Sequence, residues 1–144
     1  MKVSYRVFAC SEVEVRVIYL LENKLTLPKE ELNKNITYAQ SRNLFNGKNG
    51  ELYTFTMELM GNYQNVVLVG LGKEEELNLD KIRKATAKAI RKAKELKANK
   101  IFLRLPINNK LSIEEMAKNV TIAAHLADYT FNKYKTDKEK ENDI

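Results

Sequence analysis

The sequence predicts an α/β fold with parallel strands, because two apolar runs of strand length enclose a segment with helical periodicity. The runs are residues 66–69 and 101–105, and Arg104 interrupts the second. Continuous apolar runs are typical of strands covered on both faces in a parallel sheet. The helix between them is predicted from apolar residues that share one arc of a helical wheel: Leu79, Ile82, Ala85, Thr86, Ala89, Ile90, Ala93 and Leu96. Together they form a βαβ unit, whose crossover is expected to be right-handed.

The turn after the first of these strands contains Gly70 and Gly72, followed by Lys73. Glycine allows a positive φ and a close approach of the backbone, so a tight structural turn is the favoured interpretation. The alternative is a loop of Gly70, Gly72 and Lys73 that holds an anion against a helix N-terminus. Against this alternative, the third glycine of the dinucleotide fingerprint is absent, and residues 74–76 are all glutamate.

Length and composition indicate one soluble globular domain. The chain has 144 residues, of which 44% are hydrophobic and 31% charged, and this length is enough for a sizeable core. No apolar run approaches the roughly 20 residues of a transmembrane helix, so no membrane association is expected. The single cysteine, Cys10, has no internal disulfide partner and no histidine near it in sequence. It is interpreted as a plain strand residue in a cytoplasmic protein.

The basic excess of the chain is concentrated in the predicted helix. The net charge is +6, and residues 79–100 hold nine basic and two acidic residues, or +7, which leaves −1 for the remainder. A solvated outer face is the favoured interpretation, because lysine stems also cover apolar surface. The alternative is a surface for nucleic acid or another acidic partner. The residues proposed for such contacts are Lys81, Lys84, Lys88, Arg91 and Lys92.

Two alternating segments precede the βαβ unit. Residues 3–9 and 13–21 place apolar side chains on one face and polar ones, such as Arg6 and Arg16, on the other. This pattern predicts two half-buried strands. They could pair as an antiparallel hairpin or lie apart in a mixed sheet, and the sequence leaves both arrangements open.

A helix, a loop and a third alternating strand are predicted in the middle of the chain. Pro28 and the glutamates after it favour a helix start, and the helix is expected to reach about Ser41. Residues 43–50 contain Asn-Gly twice and predict a loop. The strand at residues 52–59 is expected to direct four side chains inward, those of Tyr53, Phe55, Met57 and Leu59.

A second long helix is predicted from Ser112 onwards. Ser112 and Glu115 have the spacing of a capping box, and apolar residues continue at helical intervals to about Tyr134. His125 on this helix is the sole histidine of the chain. It is interpreted as a structural or surface residue, because one histidine cannot build a histidine-based metal cluster.

The last residues, 136–144, are polar until the final isoleucine. A segment of this composition does not bury enough apolar surface to fold by itself. It is predicted to be the start of an interdomain linker or a disordered tail. The domain itself is therefore expected to span residues 1–135, as the front portion of a longer polypeptide.

Three stretches together resemble the N-terminal domain of the leucyl aminopeptidase family. Residues 45–51, Phe-Asn-Gly-Lys-Asn-Gly-Glu, resemble the family's Phe-x-Gly-Lys-x-Gly-Glu loop. Residues 67–73, Val-Leu-Val-Gly-Leu-Gly-Lys, are similar to its strand and turn. Residues 124–135, with Tyr129, Phe131, Tyr134 and Lys135, look like the end of the helix that leads to its catalytic domain.

The resemblance implies a macro-like, three-layer α/β fold in which helices flank a mixed sheet. In the family, this domain precedes a catalytic domain that binds two divalent metals, zinc or manganese. The catalytic domain removes N-terminal residues, often leucine, from peptides, and the whole enzyme assembles as a hexamer. The family's catalytic signature, Asn-Thr-Asp-Ala-Glu-Gly-Arg-Leu, is absent from this sequence. No catalytic or metal-binding residue is therefore carried over, and no cofactor is expected in this chain.

The favoured function is a non-catalytic domain that packs beside the catalytic domain of the same polypeptide and contributes to contacts in the hexamer. One alternative is a module that binds ADP-ribose or another nucleotide at the loop of Gly70, Gly72 and Lys73, since macro folds commonly bind such ligands. The other is an accessory DNA-binding domain that uses the basic helix.

Overall fold

A computed structural model gives the fold of most of the chain. It describes residues 14–22, 25, 30–59, 61–98, 100–106, 108 and 110–142, and of residues 30, 31, 59 and 130–142 it describes the backbone alone. The strand predicted at residues 3–9 lies outside the described residues, as do Cys10 and Pro28. The choice between a hairpin and separate strands for the two N-terminal segments therefore stays open.

The described residues form four strands and three α-helices, which confirms the predicted α/β class. The elements in chain order are β1 (Val15–Leu20), α1 (Glu30–Ser41), β2 (Leu52–Leu59), β3 (Asn62–Gly70), α2 (Leu79–Glu95), β4 (Ile101–Arg104) and α3 (Ile113–Asn142). The strand order in the sheet is β2-β3-β1-β4. The sheet is mixed, because β2 is antiparallel to β3 while β1 is parallel to both β3 and β4.

The predicted βαβ unit is present as β3, α2 and β4, with β1 inserted between the two strands. Val17 of β1 pairs with Val67 of β3 on one side and with Leu103 of β4 on the other. All five residues from Val66 to Gly70 are buried. This burial agrees with the continuous apolar run, which is typical of a strand covered on both faces.

β1 corrects one expectation, because it is buried along its whole length and not on one face alone. All six of its residues are buried, and even Arg16 is only 8% exposed. The alternating pattern predicted a half-buried strand, but β1 lies inside the sheet with helices on both sides. The Arg16 guanidinium lies 5.2 Å from the centre of the Phe102 ring, so a cation–π contact partly compensates for its burial.

Two cores give the molecule three layers. On one face of the sheet, odd-numbered residues of β1 pack with α2 and with Met116 and Val120 of α3. On the other face, Ile18 and Leu20 pack with α1 and with Phe45. The arc of α2 predicted to be apolar faces inward, with six buried residues: Ile82, Ala85, Thr86, Ala89, Ile90 and Ala93.

α3 is longer than predicted. It begins at Ile113, and the Ser112 hydroxyl accepts a hydrogen bond from the Glu115 N–H at 3.2 Å, which confirms the predicted cap. It ends at Asn142, so the expectation of a helix end near Tyr134 was wrong. Neither glycine nor proline interrupts the sequence after Ser112, and residues 135–142 are mostly helix-forming lysine and glutamate. That residues 136–144 begin an interdomain linker stays a prediction.

No helix in the described part of the chain is both long and apolar enough to span a membrane.

Candidate functional site

The two motifs around Gly47 and Gly70, more than twenty residues apart in sequence, meet at the carboxyl end of β3. The Gly72 N–H donates to the Gly47 carbonyl at 2.9 Å, and the Gly50 N–H donates to the Gly70 carbonyl at 3.0 Å. The Gly70 N–H donates in turn to the Glu51 carbonyl at 2.9 Å. These three bonds hold residues 46–51, which we call the 46–51 loop, against the turn after β3.

The Glu51 side chain holds the 46–51 loop in shape from within. Its Oε1 accepts hydrogen bonds from the backbone N–H groups of Asn46, at 3.1 Å, and of Lys48, at 2.8 Å. Hydrogen bonds to a charged carboxylate are stronger than those between neutral groups. The loop is therefore a preformed unit, held by its own glutamate.

Gly70 and Gly72 are required here for packing and for backbone conformation. A Cβ atom on Gly70 would lie 2.1 Å from the Lys48 carbonyl oxygen, and Gly72 has a φ of +80°. Gly72 is buried, and its N–H is already bonded to Gly47, whereas the Lys73 side chain is exposed. The geometry favours a structural turn. Binding of a ligand by the loop of Gly70, Gly72 and Lys73 stays a prediction.

Metal-binding side chains do not converge in the described part of the chain. Among those residues, no group of three or more His, Cys, Asp or Glu side chains is placed to hold a metal ion. His125 lies exposed on α3, as predicted. The resemblance places its metal pair in the catalytic domain, and that assignment stays a prediction.

The basic surface of α2 is accompanied by acidic and carbonyl groups. Asp80 pairs with Lys84 at 3.1 Å and with Arg83 at 3.7 Å. Other contacts are Lys81 with Glu76 at 3.8 Å, Lys92 with Glu95 at 3.5 Å, and Lys88 with the Gly50 carbonyl at 3.2 Å. Arg91 is exposed. These contacts favour the interpretation of a solvated outer face. Binding of nucleic acid by Lys81, Lys84, Lys88, Arg91 and Lys92 stays an untested prediction.

One ion pair, between Lys94 of α2 and Asp128 of α3, is largely buried. Lys94 Nζ lies 2.9 Å from Asp128 Oδ1, beside the contact of Ile90 with Ala124 and Ala127. Burial of Asp128 opposes its charged form, whereas the hydrogen bond and the charge of Lys94 favour that form, and the net effect is a lowered pKa of the carboxyl. The pair therefore links the two helices that cover one face of the sheet.

Asp128→Asn is expected to destabilise the protein by about 1–3 kcal/mol at neutral pH, because it leaves Lys94 without its counter-charge. The folded-state pKa lies below the unfolded value of about 4, so the contribution is complete above that pH. It is lost as the pH falls through the folded-state pKa. Urea unfolding of both proteins from about pH 7 to about pH 3 measures the difference, which should shrink on acidification.

Glu95→Gln is the matched control, since it removes the exposed pair with Lys92. We expect a loss below about 0.5 kcal/mol from this variant. A difference between Asp128→Asn and the original protein that stays constant down to the acid end would contradict the assignment.

α3 carries an exposed apolar face that the sequence reasoning missed. Ile122, Leu126 and Tyr129 are 54%, 63% and 65% exposed, and they follow one another at helical spacings of four and three residues. The inward residues of α3, such as Val120 and Ala124, lie on another side of the helix. A second apolar stripe on a helix is visible in sequence as a second set of helical spacings. We call these three residues the α3 apolar face.

Together, the mixed sheet, its helices and the 46–51 loop define a three-layer α/β domain. The family model described as "Cytosol aminopeptidase family, N-terminal domain" matches residues 20–138. This chain therefore belongs to the cytosol aminopeptidase family, as its N-terminal domain. The resemblance to leucyl aminopeptidases is confirmed.

Relatives named as aminopeptidases match most of this chain. A probable cytosol aminopeptidase of Clostridium perfringens is 36% identical over 135 residues, which cover 94% of this chain and 27% of the relative. One of Aquifex aeolicus is 34% identical over 115 residues, which cover 80% of this chain and 23% of the relative. The chain thus spans about a quarter of the length of these relatives.

A solved structure shares the fold. It is that of a tomato leucine aminopeptidase mutant, with a TM-score of 0.63 over 85% of this chain and 27% of the other chain. The sequences are 20% identical, so this likeness concerns the fold alone.

Proposed function

We propose that this chain is a non-catalytic N-terminal domain of a leucyl aminopeptidase, which packs against the catalytic domain and contributes to assembly of the oligomer. The observation that carries the proposal is the family match over residues 20–138 combined with a span of about a quarter of the relatives. We assign release of N-terminal amino acids from peptides, and the two divalent metals that the resemblance implies, to the remaining part of such an enzyme.

The α3 apolar face supports the packing role. Ile122, Leu126 and Tyr129 form a stripe that is more than half exposed on the longest helix of the domain. An apolar stripe of this kind on a small domain is typical of a surface that contacts another domain. Polar neighbours such as Lys118 and His125 border it, as the rim of an interface does.

No observation favours the two alternatives enough to adopt them. The Gly72 N–H, which an anion at the Gly70–Gly72 turn would need, is bonded to the Gly47 carbonyl. Four of the five cations considered for nucleic acid already have acidic or carbonyl neighbours.

A chimera tests the proposal. The chain replaces the N-terminal domain of the Clostridium perfringens relative and is joined to the remainder of that protein. We expect the chain alone to release no p-nitroaniline from leucine p-nitroanilide in the presence of manganese, and the chimera to release it. Turnover by the chain alone, beyond a buffer control, would contradict its non-catalytic role.

Two leucine variants locate the packing surface within the chimera. Leu126→Asp lies on the α3 apolar face, and Leu44→Asp changes an exposed leucine elsewhere, at 51% exposure. In the isolated chain, each variant should shift the free energy of unfolding by less than about 0.5 kcal/mol. In the chimera, Leu126→Asp alone should expose the junction to limited proteolysis. Equal proteolysis of the junction in the two variants would show that the α3 apolar face is not the docking surface.

A further inference from the structure

β2 lies at one edge of the described sheet, and no other described strand pairs with its outer side. Among the described residues, its strand partner is β3 alone. Natural proteins guard such edges with lysine, proline, a bulge or a very short strand. β2 has eight residues, contains neither lysine nor proline, and has Glu58 as its one charged residue. Within the described part of the chain, this edge is therefore free to pair with another strand.

The other edge of the described sheet differs in each of these respects. β4 has four residues, ends in Arg104 and directly follows the exposed Lys100. A short strand bordered by cations is the ordinary form of edge protection. Of the two edges of the described sheet, the shorter one thus carries the usual protection and the longer one does not.

The backbone groups of β2 that face outward follow from the hydrogen-bond pattern. The Gly70 N–H donates to the Glu51 carbonyl at 2.9 Å, and Leu52 stands opposite Val69. In an antiparallel ladder, every second residue exchanges hydrogen bonds with its partner strand. Odd-numbered residues of β2 therefore bond to β3. The N–H and C=O groups of the even-numbered residues point to the open edge: Leu52, Thr54, Thr56 and Glu58.

Apolar side chains border the same edge. Tyr53 and Phe55 are only half-buried, although they pack on the core beside α1, and their ring centres lie 6.0 Å apart. Leu52 is 37% exposed on the opposite face. A strand added beside β2 would cover both faces of this border and satisfy the outward backbone groups at the same time.

We propose that β2 pairs antiparallel with β2 of a second copy of this chain, about a two-fold axis at Phe55, so that the two sheets join. Outward hydrogen bonds come from even-numbered residues on both strands, which excludes registers that pair an even with an odd residue. Of the remaining registers, those centred on Phe55 and on Thr56 share the longest overlap, seven residues of β2 each, and the first of them places the two Phe55 side chains opposite each other. This inference rests on the proposed function and names the surface and the partner for assembly.

The register centred on Phe55 is self-complementary in charge and in shape. It places Thr54 opposite Thr56 of the second copy, a favourable cross-strand pair. It places Leu52 opposite Glu58, so the carboxylates do not meet each other. On the other face, Phe55 meets its own copy and Tyr53 meets Met57, so the half-buried aromatic side chains gain apolar neighbours.

Sedimentation of the full 144-residue chain from about 1 µM to about 1 mM tests the pairing. Pairing of two edge strands buries less than the roughly 1,600 Å² of a standard interface, so a concentration-dependent dimer is expected. A chain that stays monomeric over the whole range would overturn the proposal, whatever the outcome of the chimera assay. Conversely, a dimer of the isolated chain would support the pairing even if the chimera showed no peptidase turnover.

A charge pattern tests the register. Thr54→Lys with Thr56→Lys places lysines opposite each other and should abolish the dimer, whereas Thr54→Lys with Thr56→Glu places opposite charges together and should retain it. Both variants lose the same hydrogen bond, from the Thr56 hydroxyl to Asn65 Oδ1 at 2.8 Å, so their folding costs are matched. Equal dimerisation of the two variants would overturn the proposal.

Thr54→Pro gives a second test that does not use charge. Proline removes the outward N–H of Thr54 and leaves the bonds to β3, so an edge strand tolerates it. We expect a monomer with unchanged far-ultraviolet circular dichroism, while Thr54→Val, which keeps the N–H, should remain dimeric. A folded Thr54→Pro that still dimerises would exclude pairing through β2.

Discussion

Gly70→Ala is expected to destabilise the protein by about 3 kcal/mol or more, because the new methyl group has no space. Its Cβ would lie 2.1 Å from the Lys48 carbonyl oxygen and 2.7 Å from the Gly47 carbonyl carbon, and both are backbone atoms. Backbone cannot rotate away as a flexible side chain does. The 46–51 loop would have to move, and the hydrogen bonds of Gly70 to Gly50 and Glu51 would break. Urea and thermal unfolding measure the loss.

Gly61→Ala is the matched control for this substitution. Nothing lies within 4 Å of a Cβ at Gly61, although its φ is +81°. The expected loss is therefore about 1 kcal/mol, from backbone strain alone. Similar losses in the free energy of unfolding for the two variants would show that the 46–51 loop moves to accommodate the added methyl group. Its contact with the turn would then not be rigid.

The position of the 46–51 loop illustrates what the sequence could and could not predict. Two glycines after an apolar strand predict the turn, because positive φ and close approach are local requirements. Two Asn-Gly dipeptides predict the loop for similar local reasons. The contact between the loop and the turn cannot be predicted from the residue pattern of either segment. It arises because β2 and β3 form a hairpin whose far ends bring Glu51 and Gly70 together.

β1 and α2 show the same distinction between local pattern and tertiary context. The buried arc of α2 was predicted correctly, because helical periodicity records which side faces the core. The burial of β1 was underestimated, because Arg16 made the strand look half-exposed. A central position between β3 and β4, with helices on both sheet faces, overrides that pattern.

The order of the strands could not be predicted at all, and the candidate surfaces depend on it. β3 pairs with β2 on one side and with β1 on the other, so β2 lies at the edge of the described sheet. Nothing in the sequence of β2 predicts this position. The alternation of Tyr53, Phe55 and Met57 predicted which face is inward, and these three residues do pack on the core beside α1. Face direction is encoded locally by the two-residue period, whereas neighbours in the sheet are not.

Phe45→Ala is expected to cost about 3–5 kcal/mol, since it removes a large, fully buried side chain. Phe45 retains 0% exposure and packs with Leu32 and Ile36 of α1 and with Leu68 of β3. Its backbone N–H is directed to the Ala39 carbonyl at 3.4 Å, near the end of α1. The side chain thus joins α1, the sheet and the start of the 46–51 loop. Urea unfolding gives the difference in free energy.

Leu44→Ala is the control, because its side chain is 51% exposed one residue earlier in the chain. A loss within about 0.5 kcal/mol is expected there. If Phe45 positions the 46–51 loop against Gly70, the Phe45→Ala and Gly70→Ala losses share one structural cause. The double variant should then lose less than the sum of the single losses by at least about 0.5 kcal/mol. Strict additivity would mean that Phe45 fills the core beside α1 without positioning the loop.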